Sequence, residues 1–448
     1  MGKLFGTDGV RGIVNQELTY DLAYKIGKAG GYVLSKGSST NPIVLIAKDT
    51  RASCDMLEEA LTKGILSAGG YVLPLGVLPT PGVSYLVRKY NATAGIMISA
   101  SHNPAEYNGI KFFDSNGQKL TDETEEQIEA FVFREDLLPP PLPKDKGTLL
   151  PIIRPQNEYA DFLRSKLKNK LSNLKLAIDC ANGAATAVVK QVFSDLGAEI
   201  SVIANQPNGT NINQGCGSTD MKALCRYTVE NRLDLGIAFD GDADRVLLCD
   251  EKGAVIDGDQ LLAILALHLK KQNNLPKNTL VATVMSNLSL SLFCEENNIN
   301  FIQTKVGDRY VLEEMIKNGY ALGGEQSGHI ILLQENTTGD GILTALMILN
   351  IMAETKKSAS ELAGFIKPLP QILLNVTVQK EKKEQVLSDP DIADLTQSIS
   401  NQLGKSGRVL LRASGTEPVF RVMLEGKSKE EITQYAHRIA DMIAKKFG

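Results

Sequence analysis

Three carboxylates at alternate positions, Asp240, Asp242 and Asp244 of the run DGDADR, follow directly on the apolar stretch LGIAF. Like charges this close raise one another's pKa, and a bound divalent cation is the usual relief. An all-oxygen donor set favours Mg²⁺, Ca²⁺ or Mn²⁺ over zinc. An EF-hand has similar spacing, with Glu251 at its twelfth position, but Arg245 stands where its glycine belongs and the flanks read as strands. A solvated acidic turn is the other alternative. Three carboxylates leave a cation with open positions, one of which a phosphate oxygen would fill. A phosphoryl group on a nearby hydroxyl would complete the coordination where phosphoryl transfer develops negative charge.

A hydroxyl of that kind is offered by AGIMISASHNPAEYNGIKFF, residues 94–113, where a short apolar run leads into a loop carrying Ser101 and His102. The run reads as a buried strand of a parallel sheet, and the carboxyl ends of such strands are where ligands bind. A serine in a polar turn is the plain alternative. Two more loops carry donors. GGEQSGH places Glu325, Ser327 and His329 between glycines, an array suited to sugar hydroxyls; a hydrogen-bonded structural role for His329 is the alternative. RASGTEP, with Arg412, Ser414, Gly415 and Thr416, and Arg421 on the next strand, offers guanidinium forks, hydroxyls and backbone N–H groups for a phosphate dianion. Near the start, GTDGVRG presents Arg11 as a phosphate contact, and KDTRAS at 48–53 reads either as a charged loop or as a helix N-cap by Ser53 or Thr50.

The elements that must position these loops alternate strand and helix. Strands at 43–47 and 71–75 and helices at 53–68 and 80–88 precede the serine strand, a βαβ succession that implies a parallel sheet covered by helices. A proline-rich segment at 137–147 reads as a connection, followed by a helix at about 156–171, strands at 176–179, 199–203 and 234–239, and a helix opened by ANGAAT at 181–186. Strands near 279–284 and 320–323 continue the rhythm, which does not by itself establish an internal repeat. The end differs: strands at 372–378, 408–412 and 420–424 precede one helix that starts at Ser428 with Glu431 completing a capping box, an α+β pattern. The expectation is an α/β protein of three similar domains with mixed parallel sheets plus a smaller C-terminal α+β domain, around a central cleft. Its boundaries are 1–155 with the serine loop, 156–255 with the metal loop, 256–368 with the sugar loop and 369–448 with the phosphate loop.

A chain of 448 residues with 43% hydrophobic and 22% charged side chains can bury several cores. The formal charge of −4 leaves no electrostatic footprint for nucleic acid, and the sequence holds neither a signal-like start nor a long apolar run for a membrane. The expectation is a cytoplasmic protein, monomer or homodimer, whose partners are small sugar phosphates. Six dispersed cysteines without a Cys-x-x-Cys pair read as reduced packing residues.

The ordered set ISASHNP with NGIKFF, DGDADR, GGEQSGH and RASGTEP resembles the α-D-phosphohexomutase superfamily over essentially the whole chain. FGTDGVRG, GIKFFDSNGQKL, CGSTD, KVGDRYV and Gln326 are similar to its bacterial glucosamine-phosphate branch, more than to phosphomannomutases or phosphoglucomutases. The resemblance implies interconversion of glucosamine 6-phosphate and glucosamine 1-phosphate on the way to UDP-N-acetylglucosamine and cell wall. It implies phosphorylated Ser101, one Mg²⁺ held by Ser101, Asp240, Asp242 and Asp244, and a hexose or glucosamine 1,6-bisphosphate as activator and intermediate. Arg11, His102, Lys111, Arg245 and His329 match its catalytic positions, with Lys111 and His329 as acid/base candidates. Glu325, Ser327 and His329 match its sugar loop, and Arg412, Ser414, Gly415, Thr416 and Arg421 its phosphate loop. A phosphatase, which would let water take the phosphoryl group, and a non-catalytic sugar-phosphate binder are the alternatives.

Overall fold

The computed structural model describes residues 4–6, 8–35, 41–138, 147–151, 154–172, 174–194, 196–414 and 418–448. Most of the proline-rich segment, and with it Gly415 and Thr416 of the expected phosphate loop, lies outside the described residues. The chain divides into two compact units, Met1–Met285 with Ile299–Phe365, and Ser286–Asn298 with Ile366–Gly448.

The first unit holds three sheets. Strands β1 (Val10–Ile13), β2 (Ile43–Lys48), β3 (Tyr71–Val77), β4 (Ala94–Ile98) and β5 (Tyr107–Phe113) form the first, in the order β3-β2-β4-β5-β1. The second contains β6 (Lys175–Asp179), β7 (Glu199–Ile203), β8 (Leu235–Phe239), β9 (Val246–Asp250) and β10 (Val255–Ile256), in the order β7-β6-β8-β9-β10. The third contains β11 (Thr279–Thr283), β12 (Asn300–Thr304), β13 (Leu322–Gly324) and β14 (Ile330–Leu332), in the order β12-β11-β13-β14. In each, three parallel strands are followed by one antiparallel strand, β5, β9 or β14. The strand rhythm was therefore a true structural repeat. The repeat reaches local chemistry: at the end of each central parallel strand a side-chain oxygen accepts from the amide two residues on. Asp49 takes Arg51 N at 2.9 Å, Asp179 takes Ala181 N at 2.8 Å, and Thr283 takes Met285 N at 3.2 Å.

The antiparallel members are where the structure departs from the expected parallel sheet. NGIKFF is not the tail of a loop but strand β5, whose Lys111 pairs with Met97 of β4. Every residue of β4 is buried, which is why its composition does not alternate. Helices cover the first sheet, and their apolar faces, Ala23, Ile26 and Val33 from Tyr20–Ser35 and Leu57, Leu61 and Ile65 from Cys54–Ser67, pack with Val44, Ile46, Ile96 and Ile98. The helix expected at about 156–171 stops at Ser165, and ANGAAT makes only a short 3₁₀ turn, Ala184–Ala187, before a helix at Val189–Phe193.

The second unit is the expected α+β fold. Strands β15 (Gln371–Thr377), β16 (Arg408–Ala413) and β17 (Val419–Glu425) form an antiparallel sheet in the order β15-β17-β16. Val376, Phe420, Val422 and Leu424 share a core with Ile392 and Ile399 of Pro390–Leu403 and Ile432, Ile439 and Ile443 of Lys429–Phe447. Ser428 caps the last helix by accepting from Glu431 N at 3.2 Å, but its hydroxyl turns to Glu430, and the Glu431 side chain pairs with Tyr435 instead of closing the capping box. All six cysteines are free thiols, five of them buried. Among the described residues no helix is long and apolar enough to cross a membrane.

Candidate active site

The three antiparallel returns bring three loops together: β4–β5 with Ser101, β8–β9 with the carboxylates, and β13–β14 with Glu325, Ser327 and His329. Each turns through a left-handed residue, Ser101 at φ 51°, Ala243 at φ 57° and Gly328 at φ 91°. For the serine and the alanine this conformation costs roughly 1–2 kcal/mol, which surrounding contacts must offset. The loops are stitched directly. Val246 N donates to Gly328 O at 3.1 Å, and Arg245 forms a bridge with His329. The first two loops approach at Gly241, where a Cβ would sit 2.5 Å from the Ser101 carbonyl; only glycine fits there.

Ser101 is buried, and its Oγ donates to Asp240 Oδ2 at 2.5 Å, with His102 Nδ1 at 3.3 Å. Its amide donates to Ser99 Oγ at 2.9 Å, which in turn donates to Asp49 Oδ2 at 2.6 Å. Arg51, paired with Asp49 at 2.9 Å, reaches over the loop and donates to the carbonyls of Ser101, Asn103, Pro104 and Tyr107. This settles the reading of KDTRAS. Ser53 stands at the N-cap position without a capping hydrogen bond, Thr50 donates to Asn182 O at 2.5 Å, and the loop's role is to carry Arg51.

The three aspartates are buried and present oxygens within 4.8 Å of one another. Asp240 is pushed up by burial and by the charges of Asp244 and Asp242. Asp242 Oδ2 accepts from Thr80 Oγ1 at 2.6 Å and from Lys111 Nζ at 2.8 Å, while Asp242 Oδ1 and Asp244 Oδ1 are buried with no hydrogen-bond partner among the described residues. Buried carboxylate oxygens without a donor are costly unless a cation takes them, so this donor set fits a divalent metal ion. The EF-hand alternative falls away, because Glu251 accepts from Ser360 N at 3.2 Å and does not join the cluster.

Around the triad runs a closed ring of acidic and basic side chains. Lys111 Nζ lies 3.0 Å from Asp8 Oδ2 and 3.6 Å from Asp244 Oδ2. His329 Nδ1 lies 3.6 Å from Asp244 Oδ2 and its Nε2 3.3 Å from Asp308 Oδ2. Lys119 Nζ closes the ring, 2.6 Å from Asp308 Oδ2 and 2.5 Å from Asp8 Oδ1. Burial pulls Lys111 down, but Asp242, Asp8 and Asp244 outweigh it and hold the ammonium protonated, suited to donating rather than accepting. His329 Nε2 accepts from Gly339 N at 3.0 Å, so the neutral ring carries its proton on Nδ1, toward Asp244. Burial, with Arg245 and Arg11 nearby, pushes His102 down to about 4, leaving it a neutral acceptor. Arg11 pairs with Asp8, and its Nε and that of Arg245 are buried without hydrogen-bond partners among the described residues, as is Ser327 Oγ.

In the sugar loop, Glu325 Oε1 accepts from Gly307 N at 3.2 Å, which ties GGEQSGH to KVGDRY. Gln326 Nε2 donates to Asp257 Oδ2 at 3.2 Å, the N-cap of helix Gly258–Lys271, so this side chain acts on where the loop sits. The second unit carries Arg412, Ser414 and Arg421. Arg412 lies directly opposite Arg421 across β16 and β17, and Ser414 is buried. Burial and then the Arg421 charge lower Arg412, a like-charge pairing that an anion would relieve. Asp8, Lys119, Asp308, Thr80, Asp49 and Arg51 carried no role in the sequence reading. Asp8, Lys119 and Asp308 fall within stretches quoted for the resemblance, FGTDGVRG, GIKFFDSNGQKL and KVGDRYV, whereas nothing local distinguishes Thr80.

Four phosphoglucomutase/phosphomannomutase profiles match in succession: alpha/beta/alpha domain I at residues 2–138, domain II at 157–253, domain III at 257–369 and the C-terminal domain at 373–442. In fold, the chain is similar to a phosphoglucomutase/phosphomannomutase family protein of Burkholderia thailandensis (TM-score 0.83, 23% identity, 98% and 97% of the two chains). It is also similar to the Aspergillus fumigatus N-acetylphosphoglucosamine mutase solved with GlcNAc-6P and magnesium (TM-score 0.70, 18% identity, 99% and 96%). In sequence it is 50% identical to the phosphoglucosamine mutase of Acetivibrio thermocellus, 52% to that of Clostridium tetani and 53% to that of Clostridium botulinum strain Hall, each over 100% of both chains. With its motifs in order on these loops and half its residues shared along its whole length, the chain belongs to the phosphoglucosamine mutase family of the α-D-phosphohexomutases.

Proposed function

We propose that this chain interconverts glucosamine 6-phosphate and glucosamine 1-phosphate by passing a phosphoryl group between Ser101 and the sugar. The observation that carries the reading is the buried Ser101 hydroxyl set 2.5 Å from Asp240 Oδ2, beside two carboxylate oxygens that lack a donor. The relatives named above support the choice of amino sugar. Asp240, Asp242, Asp244 and an oxygen of phosphorylated Ser101 would hold one Mg²⁺, which supplies neutralisation of the charge developing on the phosphoryl group.

The chain's own residues do the rest. In the forward step the bond from phosphorus to Ser101 Oγ breaks and a bond to the free sugar hydroxyl oxygen forms, giving a 1,6-bisphosphate; the proton that the sugar hydroxyl gives up is balanced by the one that Ser101 Oγ takes up as it leaves. The Lys111 ammonium and the Arg11 and Arg245 guanidiniums face the phosphoryl oxygens with charge that needs no rearrangement. In the return step Ser101 Oγ attacks the other phosphate and the bond from that phosphorus to its sugar oxygen breaks; the serine gives up its hydroxyl proton, with Asp240 Oδ2 and the neutral His102 Nδ1 within reach, and the freed sugar oxygen takes one up. Glu325, Ser327 and His329 take the sugar hydroxyls and the 2-amino group. Arg412, Ser414, Gly415, Thr416 and Arg421 take the phosphate that is not transferred.

Ser101→Ala is expected to lower turnover at least about a thousandfold, with 1,6-bisphosphate supplied. Intact-mass measurement is expected to find one added phosphate on the parent and none on the variant. Near-parental rates in the variant would refute the covalent route. A charge-assisted hydrogen bond from the 2-amino group is worth roughly 1.5–3 kcal/mol, so glucosamine phosphate should exceed glucose phosphate at least about tenfold in kcat/KM. Equal use of glucose or mannose phosphate would move the substrate while leaving the phosphoserine chemistry.

A further inference from the structure

The loop that carries Ser101 is gripped from a second direction by a side chain that no motif marks. Asn213 lies between β7 and the helix Lys222–Glu230, in the part of the chain that builds the triad's sheet. Its Nδ2 donates to Ser101 O at 2.9 Å and to Asn103 O at 3.1 Å. These are the two carbonyls that Arg51 Nη2 also holds, at 3.0 and 2.8 Å. Two convergent acceptors fix which end of the carboxamide faces them, because Oδ1 turned that way would oppose two carbonyl oxygens. Asn213 is itself anchored: its backbone is left-handed at φ 58°, and its amide donates to Ala181 O at 2.9 Å. The triad loop passes beside it, since a Cβ on Gly241 would lie 3.1 Å from Asn213 Nδ2 as well as 2.5 Å from Ser101 O.

We propose that Asn213 is a positioning residue for phosphoryl transfer, setting the register of the Ser101 loop against the Asp240–Asp244 loop. The proposal rests on the mutase reading above. Ser101 has its N–H on Ser99 Oγ and its carbonyl on two donors, so once the clamp is made only side-chain rotation is left to the nucleophile. Arg51 reaches the loop from the serine's own sheet and Asn213 from the triad's sheet, so Asn213 ties the backbone carbonyls of the serine loop to the part of the chain that carries the triad. A misplacement of about 1 Å between reacting groups costs on the order of a hundredfold in rate.

Two variants isolate the clamp. Asn213→Asp keeps size and tolerance of the left-handed backbone but turns an acceptor toward the two carbonyls. Asn213→Gly keeps the backbone and removes the contact. Both are expected to lower kcat at least about tenfold with KM changed less than about threefold, and Asn213→Asp is expected to be the slower. Independently of any substrate, amide hydrogen exchange across Ser101–Asn103 is expected to quicken at least about tenfold in both, with the strands around it unchanged. A kcat within about twofold of the parent, a rise in KM alone, unchanged exchange, or global unfolding of Asn213→Gly would each overturn the proposal. If the parent turns over no sugar phosphate, the mutase reading fails and the exchange measurement still decides whether Asn213 holds the loop.

Discussion

Replacing Lys119 with Met removes the ammonium and keeps an unbranched apolar stem in its largely buried position. Nζ lies 2.5 Å from Asp8 and 2.6 Å from Asp308, with side-chain exposures of 12%, 21% and 16% for the three groups. Asp8 retains Lys111 at 3.0 Å and Arg11. Among the described residues Asp308 retains an ion-pair neighbour in His329 Nε2 at 3.3 Å, a nitrogen already accepting from Gly339 N, so Asp308 is the charge left stranded. Removing one partner of a buried pair costs about 3–5 kcal/mol. Residual exposure lowers this to about 2–3 kcal/mol, which corresponds to a fall in Tm of roughly 3–4 °C for a unit of this size. The pH dependence has a definite sign. Burial raises Asp308, but the Lys119 charge outweighs it and holds the carboxyl below its ordinary value; Asp8 is likewise held down, against burial, by Lys111, Lys119 and Arg11. Carboxylates with depressed folded values contribute stability above their unfolded pKa and lose it as pH falls through the folded one. Lys119, pulled down by burial but raised to about 12 by Asp308 and Asp8, contributes fully below 10.5 and loses its share as pH rises through about 12. The parent therefore holds the whole contribution between roughly pH 5 and 9. In Lys119→Met the stranded carboxylate takes up a proton as pH falls, so the deficit in Tm should be larger at pH 8 than at pH 5. Adding Asp308→Asn should recover about 1–3 kcal/mol of it. Thermal melts of the parent and both variants at the two pH values test this. A deficit below about 2 °C at pH 8, or one that ignores both pH and Asp308→Asn, would refute the reasoning.

Gly339→Ala places a Cβ 2.5 Å from the His329 ring, and both residues are buried, so overpacking should cost about 1–3 kcal/mol and displace His329, lowering kcat more than it raises KM. Steady-state kinetics and a melt on the same preparation check both effects. Asp242→Asn removes one carboxylate charge from the triad and should weaken Mg²⁺ or Mn²⁺ binding at least about tenfold, read by calorimetric titration of the ion alone. Unchanged affinity would place the ion elsewhere.

Strand β4, the run LGIAF and the last helix were legible because each declares itself locally: continuous burial leaves uninterrupted apolar residues, and an amphipathic helix repeats its core face every three or four positions. The functional loops were legible for a related reason. Three carboxylates at alternate positions, or a serine placed just after a buried strand, are costly arrangements whose chemistry shows in the residues themselves. Strand β5 was not legible, because Gly109 and Lys111 spoil its pattern. Lys111 lies on a buried strand only because Asp8, Asp242 and Asp244, from three separate places in the chain, meet its charge. The same holds for Lys119, Asp308, Arg51 and Asn213. Their partners are 189 residues away for Lys119 with Asp308 and 112 for Asn213 with Ser101, and no window of sequence contains both ends of such a contact. Composition and spacing thus determined which groups could do chemistry here. Their pairing, their protonation and the register of one loop against the next were decided by the tertiary fold, because a charge or a strained serine acquires its properties from whatever the packing sets beside it.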